Sequence, residues 1–370
     1  MTRQLHLLVK PASGSCDMRC RYCFYADVMR NRSVGNYGVM DGRTAEALVG
    51  KALAEAGEGC TFAFQGGEPT LAGLGFFERF VEIVKSRNAR NVDVAFAIQT
   101  NGLSIDADWA GHFARNRYLV GLSLDGPREV HNASRVDAAG EGSYARVLRA
   151  AGLLKRRGVD FNILTVVTAD VARRARPVYE HFRRLGFTYQ QYIPCIEPFG
   201  GEPGSREWSL SPEDYGRFLS ELFDLYYEDL SRGRRASVRY FDNLVRMAAG
   251  QPPESCGMSG SCSRQLVVEA DGSVYPCDFY VTDGHRLGNL LEDGFDAIER
   301  RRDELGFIEE SRTLDPGCRD CPQLPLCRGG CRRDRETGSG LGRNRLCAAY
   351  RGFLERESSR ITRLARAFVR

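Results

Sequence analysis

The chain has 370 residues, of which 42% are hydrophobic and 27% charged, the composition of an ordinary globular protein with more sequence than one small core uses. No stretch of 18 apolar residues exists, which excludes a hydrophobic membrane-spanning helix. Net charge is +4, and residues 351–370 with six Arg and two Glu hold all of that excess; such a basic segment could touch nucleic acid or an acidic partner, but a packed helix with a solvated Arg face is the plainer reading.

Met1 to Lys10 lacks the apolar run and small-residue cleavage site of a secretion signal, and the expected location is the cytoplasm. From there, short apolar strands alternate with segments of helical period. The predicted strands are Leu5–Val9, Thr61–Gln65, Val94–Gln99, Leu119–Leu124, Phe161–Val167 and Tyr189–Ile193. The predicted helices between them are Thr44–Ala56, Phe76–Ser86, Tyr144–Arg157 and Val171–Leu185. Such alternation implies a parallel α/β sheet with right-handed crossovers. Six units are too few for a closed eight-fold barrel, so the expectation is an open, partial TIM-like (β/α)6 barrel. A parallel barrel places its chemistry at the C-terminal ends of its strands, and the unusual residues fall there. Cys16, Cys20 and Cys23 follow the first strand, Gly66-Gly67-Glu68-Pro69 the second, and Gln99-Thr100-Asn101-Gly102 the third. Ser123-Leu124-Asp125-Gly126 ends the fourth, and Pro194-Cys195-Ile196 ends the sixth.

The alternation stops near residue 205. Pro212–Ser231 and Tyr240–Ala249 read as helices. Beyond Cys256 the chain is rich in Gly, Cys and turn residues, with one evident hairpin, Gln265–Glu269 and Ser273–Pro276 joined by Ala270-Asp271-Gly272. A region this poor in apolar residues needs metal as a staple. The expected domains are 1–234, the partial barrel, and 235–370, a cysteine-rich domain. The latter ends in a basic helix packed by Leu354, Ile361, Leu364 and Phe368.

Thirteen cysteines without a secretion signal read as metal ligands rather than disulfides. Cys16, Cys20 and Cys23 are spaced C-x3-C-x2-C. A cubane of four irons on three protein thiolates leaves one iron free to chelate a substrate amine and carboxylate. The C-terminal third holds eight more thiols, at Cys256, Cys262, Cys277, Cys318, Cys321, Cys327, Cys331 and Cys347, enough to ligate two further cubanes completely. Two structural zinc sites of four cysteines each are the alternative. Cys60 and Cys195 are left over and read as packed residues. Asp278 follows Cys277 and could serve as a general base beside a cluster. A solvated Asp is the plainer reading on composition alone.

The triad with Tyr22 before its last Cys, and the Gly66-Gly67-Glu68-Pro69 run, resemble the radical S-adenosylmethionine superfamily. The spacing from Cys256 to Cys347 resembles the SPASM domain of two auxiliary [4Fe-4S] clusters. Lys10-Pro11-Ala12-Ser13, Cys23-Phe24-Tyr25, Phe62 to Gly73, Gln99 to Gly102 and Asp271 to Tyr280 look like an anaerobic sulfatase-maturating enzyme. That resemblance implies three [4Fe-4S] clusters, bound S-adenosyl-L-methionine, and an oxidoreductase converting a Cys or Ser of a sulfatase to Cα-formylglycine. It implies Asp278 as proton acceptor, and Tyr22, Gly66, Gly67, Glu68, Ser123, Arg135 and Ile196 as cofactor-binding. It assigns Cys256, Cys262, Cys277 and Cys331 to one auxiliary cluster and Cys318, Cys321, Cys327 and Cys347 to the other. The implied partners are a sulfatase polypeptide of Cys or Ser type and a flavodoxin- or ferredoxin-like electron donor, with no nucleic acid and no membrane. The rival reading is a SPASM maturase forming thioethers or crosslinks in a ribosomal peptide. It shares every cysteine, and it is expected to carry a peptide-recognition domain before the barrel, whereas the first strand here begins at about Leu5.

Overall fold

The computed structural model describes residues 4–337 and 340–368. Its strands are β1 (Gln4–Val9), β2 (Gly59–Phe64), β3 (Asp93–Thr100), β4 (Leu119–Ser123), β5 (Phe161–Val167) and β6 (Tyr189–Pro194). The shorter β7 (Ser237–Val238), β8 (Leu266–Val268), β9 (Ser273–Tyr275) and β10 (Gly288–Asn289) follow. The chain forms two compact units, each discontinuous in sequence.

The first unit comprises Met1–Leu124, Asn132–Asn162 and Arg264–Gly306. Within it the strands run in the order β10-β9-β8-β1-β2-β3-β4. β1 to β4 are mutually parallel, and β8 joins the free edge of β1 in parallel, with Leu7, Leu8 and Val9 opposite Leu266, Val267 and Val268. The Asp-Gly turn closes the β8–β9 hairpin as predicted. Gly272 takes a φ of 85°, and Asp271 accepts from the Ser273 amide at 3.0 Å. An aromatic core backs β2 and β3. Phe64 meets Phe77 and Phe80 edge-on at 4.9 and 5.0 Å, and Phe96 stacks on Tyr118 at 5.0 Å.

The second unit comprises Asp125–His131, Ile163–Ser263 and Phe307–Arg370. β5, β6 and β7 are parallel. The helix Pro212–Ser231 matches its predicted limits, because Ser211 caps it through the Asp214 amide and Pro212 occupies its first position. It packs against the helices Arg239–Ala248 and Cys347–Phe368 through Phe223, Phe241 and Phe353. Along the last helix Leu354 and Ile361 are buried and Leu364 half-buried, as its pattern predicts. The Phe368 side chain lies outside the described residues.

Two differences from the sequence reading have local causes. The predicted helix Val171–Leu185 is two helices, Ala169–Ala172 and Ala175–Leu185. Pro177 has no N–H and its ring would strike the Arg173 carbonyl of a continuous helix, so the second helix begins just before it. The helix Ala107–Arg115 was missed, although Asp106 caps it through the amides of Asp108 and Trp109. Cys60 and Cys195 are both buried, as expected of packed thiols.

Candidate active site

Two segments of the first unit hold the cysteine loop at the end of β1. The residues between Ser134 and Ala138 strap it from outside: the amides of Arg19 and Arg21 donate to the carbonyls of Val136 and Ser134 at 2.8 and 3.0 Å. The loop after β2 backs it from within, where the amides of Gly67 and Glu68 donate to Ser13 and Ser15 at 2.9 and 2.7 Å. This approach explains the paired glycines. A Cβ on Gly67 would sit 2.1 Å from the Ser15 carbonyl oxygen, and Gly66 takes a φ of 126°.

The triad thiols are half-buried and carry no disulfide. Cys16 Sγ accepts from the Met18 amide at 3.4 Å and from the Asn101 amide nitrogen at 4.0 Å, and Cys20 Sγ accepts from Arg135 at 3.9 Å. N–H donors aimed at sulfur suit thiolates on an iron–sulfur cluster, whose negative charge they offset. The Arg135 guanidinium also lies 5.4 Å from the Tyr22 ring centre, so two expected cofactor-lining residues stand beside Cys20. Burial above all pushes the Cys16 thiol up to about 12, so a bound cation is what would hold it as thiolate. The residues present therefore fit a cluster.

Glu68 is buried, and burial raises its carboxyl above the usual range against the pull of its hydrogen bonds. Its Oε1 accepts from the Thr70 amide and hydroxyl and from the Thr100 hydroxyl. Its Oε2 accepts from the Asn101 amide at 2.7 Å. The carboxylate thus welds the loop after β2 to the end of β3, and of its four lone-pair positions only one on Oε2 is left for a ligand. Ser123 is buried at the end of β4, where its hydroxyl accepts from Gln99 at 3.1 Å. Ile196 is half-buried after β6, in the second unit.

Asp278 lies in the first unit, one residue past Cys277, and is 7% exposed. Its Oδ2 accepts from the Tyr25 hydroxyl at 2.5 Å and from Gln65 Nε2 at 3.3 Å. Its Oδ1 is buried without a hydrogen-bond partner, with the Lys10 ammonium 3.6 Å away. Burial raises the Asp278 carboxyl, opposed chiefly by Lys10. Tyr25 is also raised, by burial and by Asp278 itself, so the tyrosine is the proton donor of that pair. Behind Lys10 stands Glu269, fully buried, and behind Glu269 stands Arg32. The sequence reading missed Glu269 and Arg32; the signal was a lysine at the end of an apolar strand, between Val9 and Pro11.

In the second unit the thiols fall into two neighbourhoods. Burial and then the nearby Asp334 raise the Cys331 thiol, with Cys256 and Cys262 also in electrostatic reach. Burial raises Cys327, which feels Cys347, Cys318 and Cys321. Among the described residues no three His, Cys, Asp or Glu side chains close on one point as ligands of a single ion. A cubane makes a different demand, one thiolate for each iron.

Residues 11–171 match the Radical SAM superfamily, and residues 256–322 match SPASM, an iron-sulfur cluster-binding domain. The cysteine-type anaerobic sulfatase-maturating enzyme of Clostridium novyi (strain NT) is 43% identical over 369 residues, 99% of each chain. The chain belongs to the anaerobic sulfatase-maturating enzymes. A serine-type member of that family, from Klebsiella aerogenes, is 30% identical over 94% of this chain and 84% of its own. A solved structure described as native anSMEcpe with bound AdoMet and Cp18Cys peptide superposes with a TM-score of 0.94 at 43% identity. It covers 99% of this chain and 100% of that one. The fold is accordingly the radical SAM α/β fold with an appended SPASM domain, as the resemblance implied.

Proposed function

We propose that this chain oxidises a cysteine of a sulfatase polypeptide to Cα-formylglycine. Higher identity to the cysteine-type enzyme than to the serine-type one supports the choice of cysteine, and the peptide-bound relative supports a polypeptide substrate. Cys16, Cys20 and Cys23 would hold the cluster that binds S-adenosyl-L-methionine; the remaining eight cysteines, partitioned as the resemblance implies, would hold two more. Together these groups supply, when bound, a hydrogen-atom abstractor and a one-electron sink.

The protein's own part rests on one observation, the buried Oδ1 of Asp278 beside Cys277, which has the Lys10 ammonium near it but no hydrogen-bond partner. Tyr25 and Gln65 occupy Oδ2 and fix the carboxylate plane, so Oδ1 is the atom that receives the side-chain proton of the target residue. Tyr22 and Arg135, which lie beside Cys20, would orient the cofactor together with Ser123 and the backbone of Gly66, Gly67 and Glu68. Burial excludes water, which strengthens each of these interactions.

For the electron partner, Arg343 and Arg351 are exposed and in electrostatic reach of the Cys347 thiol. They suit an acidic flavodoxin- or ferredoxin-like carrier. Among the described residues no helix is long and apolar enough to cross a membrane. The cytoplasm, where thiols stay reduced, is the compartment this chemistry suits. Incubating reconstituted enzyme anaerobically with reductant, S-adenosyl-L-methionine and a cysteine-containing sulfatase-motif peptide tests the reading. Mass spectrometry is expected to show the aldehyde in place of the cysteine. A thioether or crosslinked product would instead establish the rival maturase reading.

A further inference from the structure

We propose that Glu269 is a positioning residue for the reaction, holding the Lys10 ammonium away from the Asp278 oxygen that receives the substrate proton. The inference rests on the assignment of Asp278 as proton acceptor and adds the device that keeps it available.

Four charged side chains of alternating sign line up in the first unit: Arg32, Glu269, Lys10 and Asp278. Their exposures are 8%, 0%, 1% and 7%. Lys10 stands between two acids. Its Nζ lies 3.4 Å from Glu269 Oε1 and 3.6 Å from Asp278 Oδ1, an ion-pair distance from each and a hydrogen bond to neither. The backbone does not supply this balance. The Lys10 amide is pinned to the Val268 carbonyl at 2.8 Å, but the four-carbon side chain beyond it has reach to spare.

Glu269 is itself fixed. Arg32 grips Oε1 at 2.8 Å, the Ala270 amide donates to Oε2 at 3.2 Å, and the Arg32 guanidinium is held by the Gly35 carbonyl at 2.7 Å. Glu269 therefore cannot follow Lys10 toward Asp278. Burial favours the neutral acid, but Lys10 and Arg32 outweigh it and bring the Glu269 carboxyl below the usual range. At neutral pH Glu269 is a fixed anion pulling on Lys10 from the far side.

The arrangement meets two opposed needs. A buried carboxylate requires a nearby cation, and 3.6 Å supplies one. A general base requires a free lone pair, and an ammonium at hydrogen-bond distance would occupy it. Removing the Glu269 charge leaves Asp278 as the remaining anion beside Lys10, and the ammonium closes on Oδ1. The base is then capped while the site for hydrogen abstraction is untouched.

The experiment compares reconstituted wild type, Glu269→Gln, Lys10→Arg and the double variant Lys10→Met/Glu269→Gln. The readouts are formylglycine formed per 5′-deoxyadenosine released, the peptide KM, and iron content. Glu269→Gln is expected to lower the product ratio at least about tenfold, inside the range of lost general-base catalysis, with KM and iron unchanged. Lys10→Arg keeps the charge and Glu269 but lengthens the reach, and is expected to lower the ratio as well. The double variant leaves Arg32 and Asp278 balanced with no ammonium to close, and is expected to recover most of the ratio relative to Glu269→Gln. A double variant no better than Glu269→Gln overturns the inference. So does a wild-type ratio in Lys10→Arg, which holds even if Glu269→Gln does not fold. Wild-type enzyme that releases deoxyadenosine and makes no formylglycine overturns the assignment of function instead.

Discussion

Replacing Asp278 by Asn is expected to separate the two halves of the reaction. The substitution keeps the shape and removes both the charge and one acceptor. Tyr25 and Gln65 both donate toward Oδ2, so the amide oxygen of the variant satisfies them and its NH2 takes the place of Oδ1. The atom proposed to receive the substrate proton thus changes from an acceptor to a donor. Lys10 keeps Glu269 as a counter-charge, now shared between Lys10 and Arg32. General-base catalysis contributes roughly 10²–10⁴-fold, about 2.7–5.4 kcal/mol of barrier at 1.36 kcal/mol per decade. Formylglycine formation is expected to fall by that factor. Hydrogen abstraction precedes loss of the proton, so 5′-deoxyadenosine release is expected to continue. Parallel assays of nucleoside by chromatography and peptide aldehyde by mass spectrometry measure both. Loss of the two products together would make Asp278 structural. Retention of both would place the base elsewhere, with Tyr25 or Tyr280 tested next.

Ala at Cys16, Cys20 and Cys23 together is expected to abolish deoxyadenosine formation and to lower iron from about twelve to about eight per chain, the arithmetic of one lost cubane among three. Elemental analysis and acid-labile sulfide measure it, and stoichiometric zinc without sulfide would sink the cluster reading altogether. Tyr25→Phe removes the 2.5 Å donor to Asp278 and leaves Gln65 to hold the carboxylate. Formylglycine yield per deoxyadenosine is expected to drop about tenfold, a misoriented base rather than a missing one, and an unchanged ratio would show that Gln65 suffices. Gly67→Ala places a Cβ against the Ser15 carbonyl, where only backbone can give way. The loop before Cys16 must then shift, and the chain is expected to lose the triad's share of iron while keeping the other eight; full loading would show that the two loops can separate.

The alternation of strand-like segments with helical periods was enough to place β1 to β6 within a residue or two, because the strands are short stretches rich in β-branched, aliphatic and aromatic residues between turn residues. The cysteine spacing was equally plain, since a cluster demands thiols at fixed intervals. What stayed hidden depends on distance in sequence. The Glu269–Arg32 pair spans 237 residues. Arg32 sits in a loop with no period, and nothing local distinguishes it from the surface arginines. Glu68 shows a subtler gap. Its motif was legible, but the hydrogen bonds from Thr70, Thr100 and Asn101 that fix its carboxylate, leaving one position on Oε2, were not.

The placement of β8 on the edge of β1 also constrains how the chain can be made. β1 is synthesised first, and its partner Val268 emerges about 259 residues after Val9. At roughly 5–20 residues per second on the ribosome, that edge waits on the order of 13–50 s for its neighbour. Throughout that interval Leu7 and Val9 lie in a strand whose outer row of amides and carbonyls is unsatisfied, a template for pairing with another nascent chain. The same edge is laid bare in any fragment ending before Arg264. The N-terminal segments of the first unit therefore cannot be cut away as an independent piece, since Arg264–Gly306 supplies three strands of their sheet.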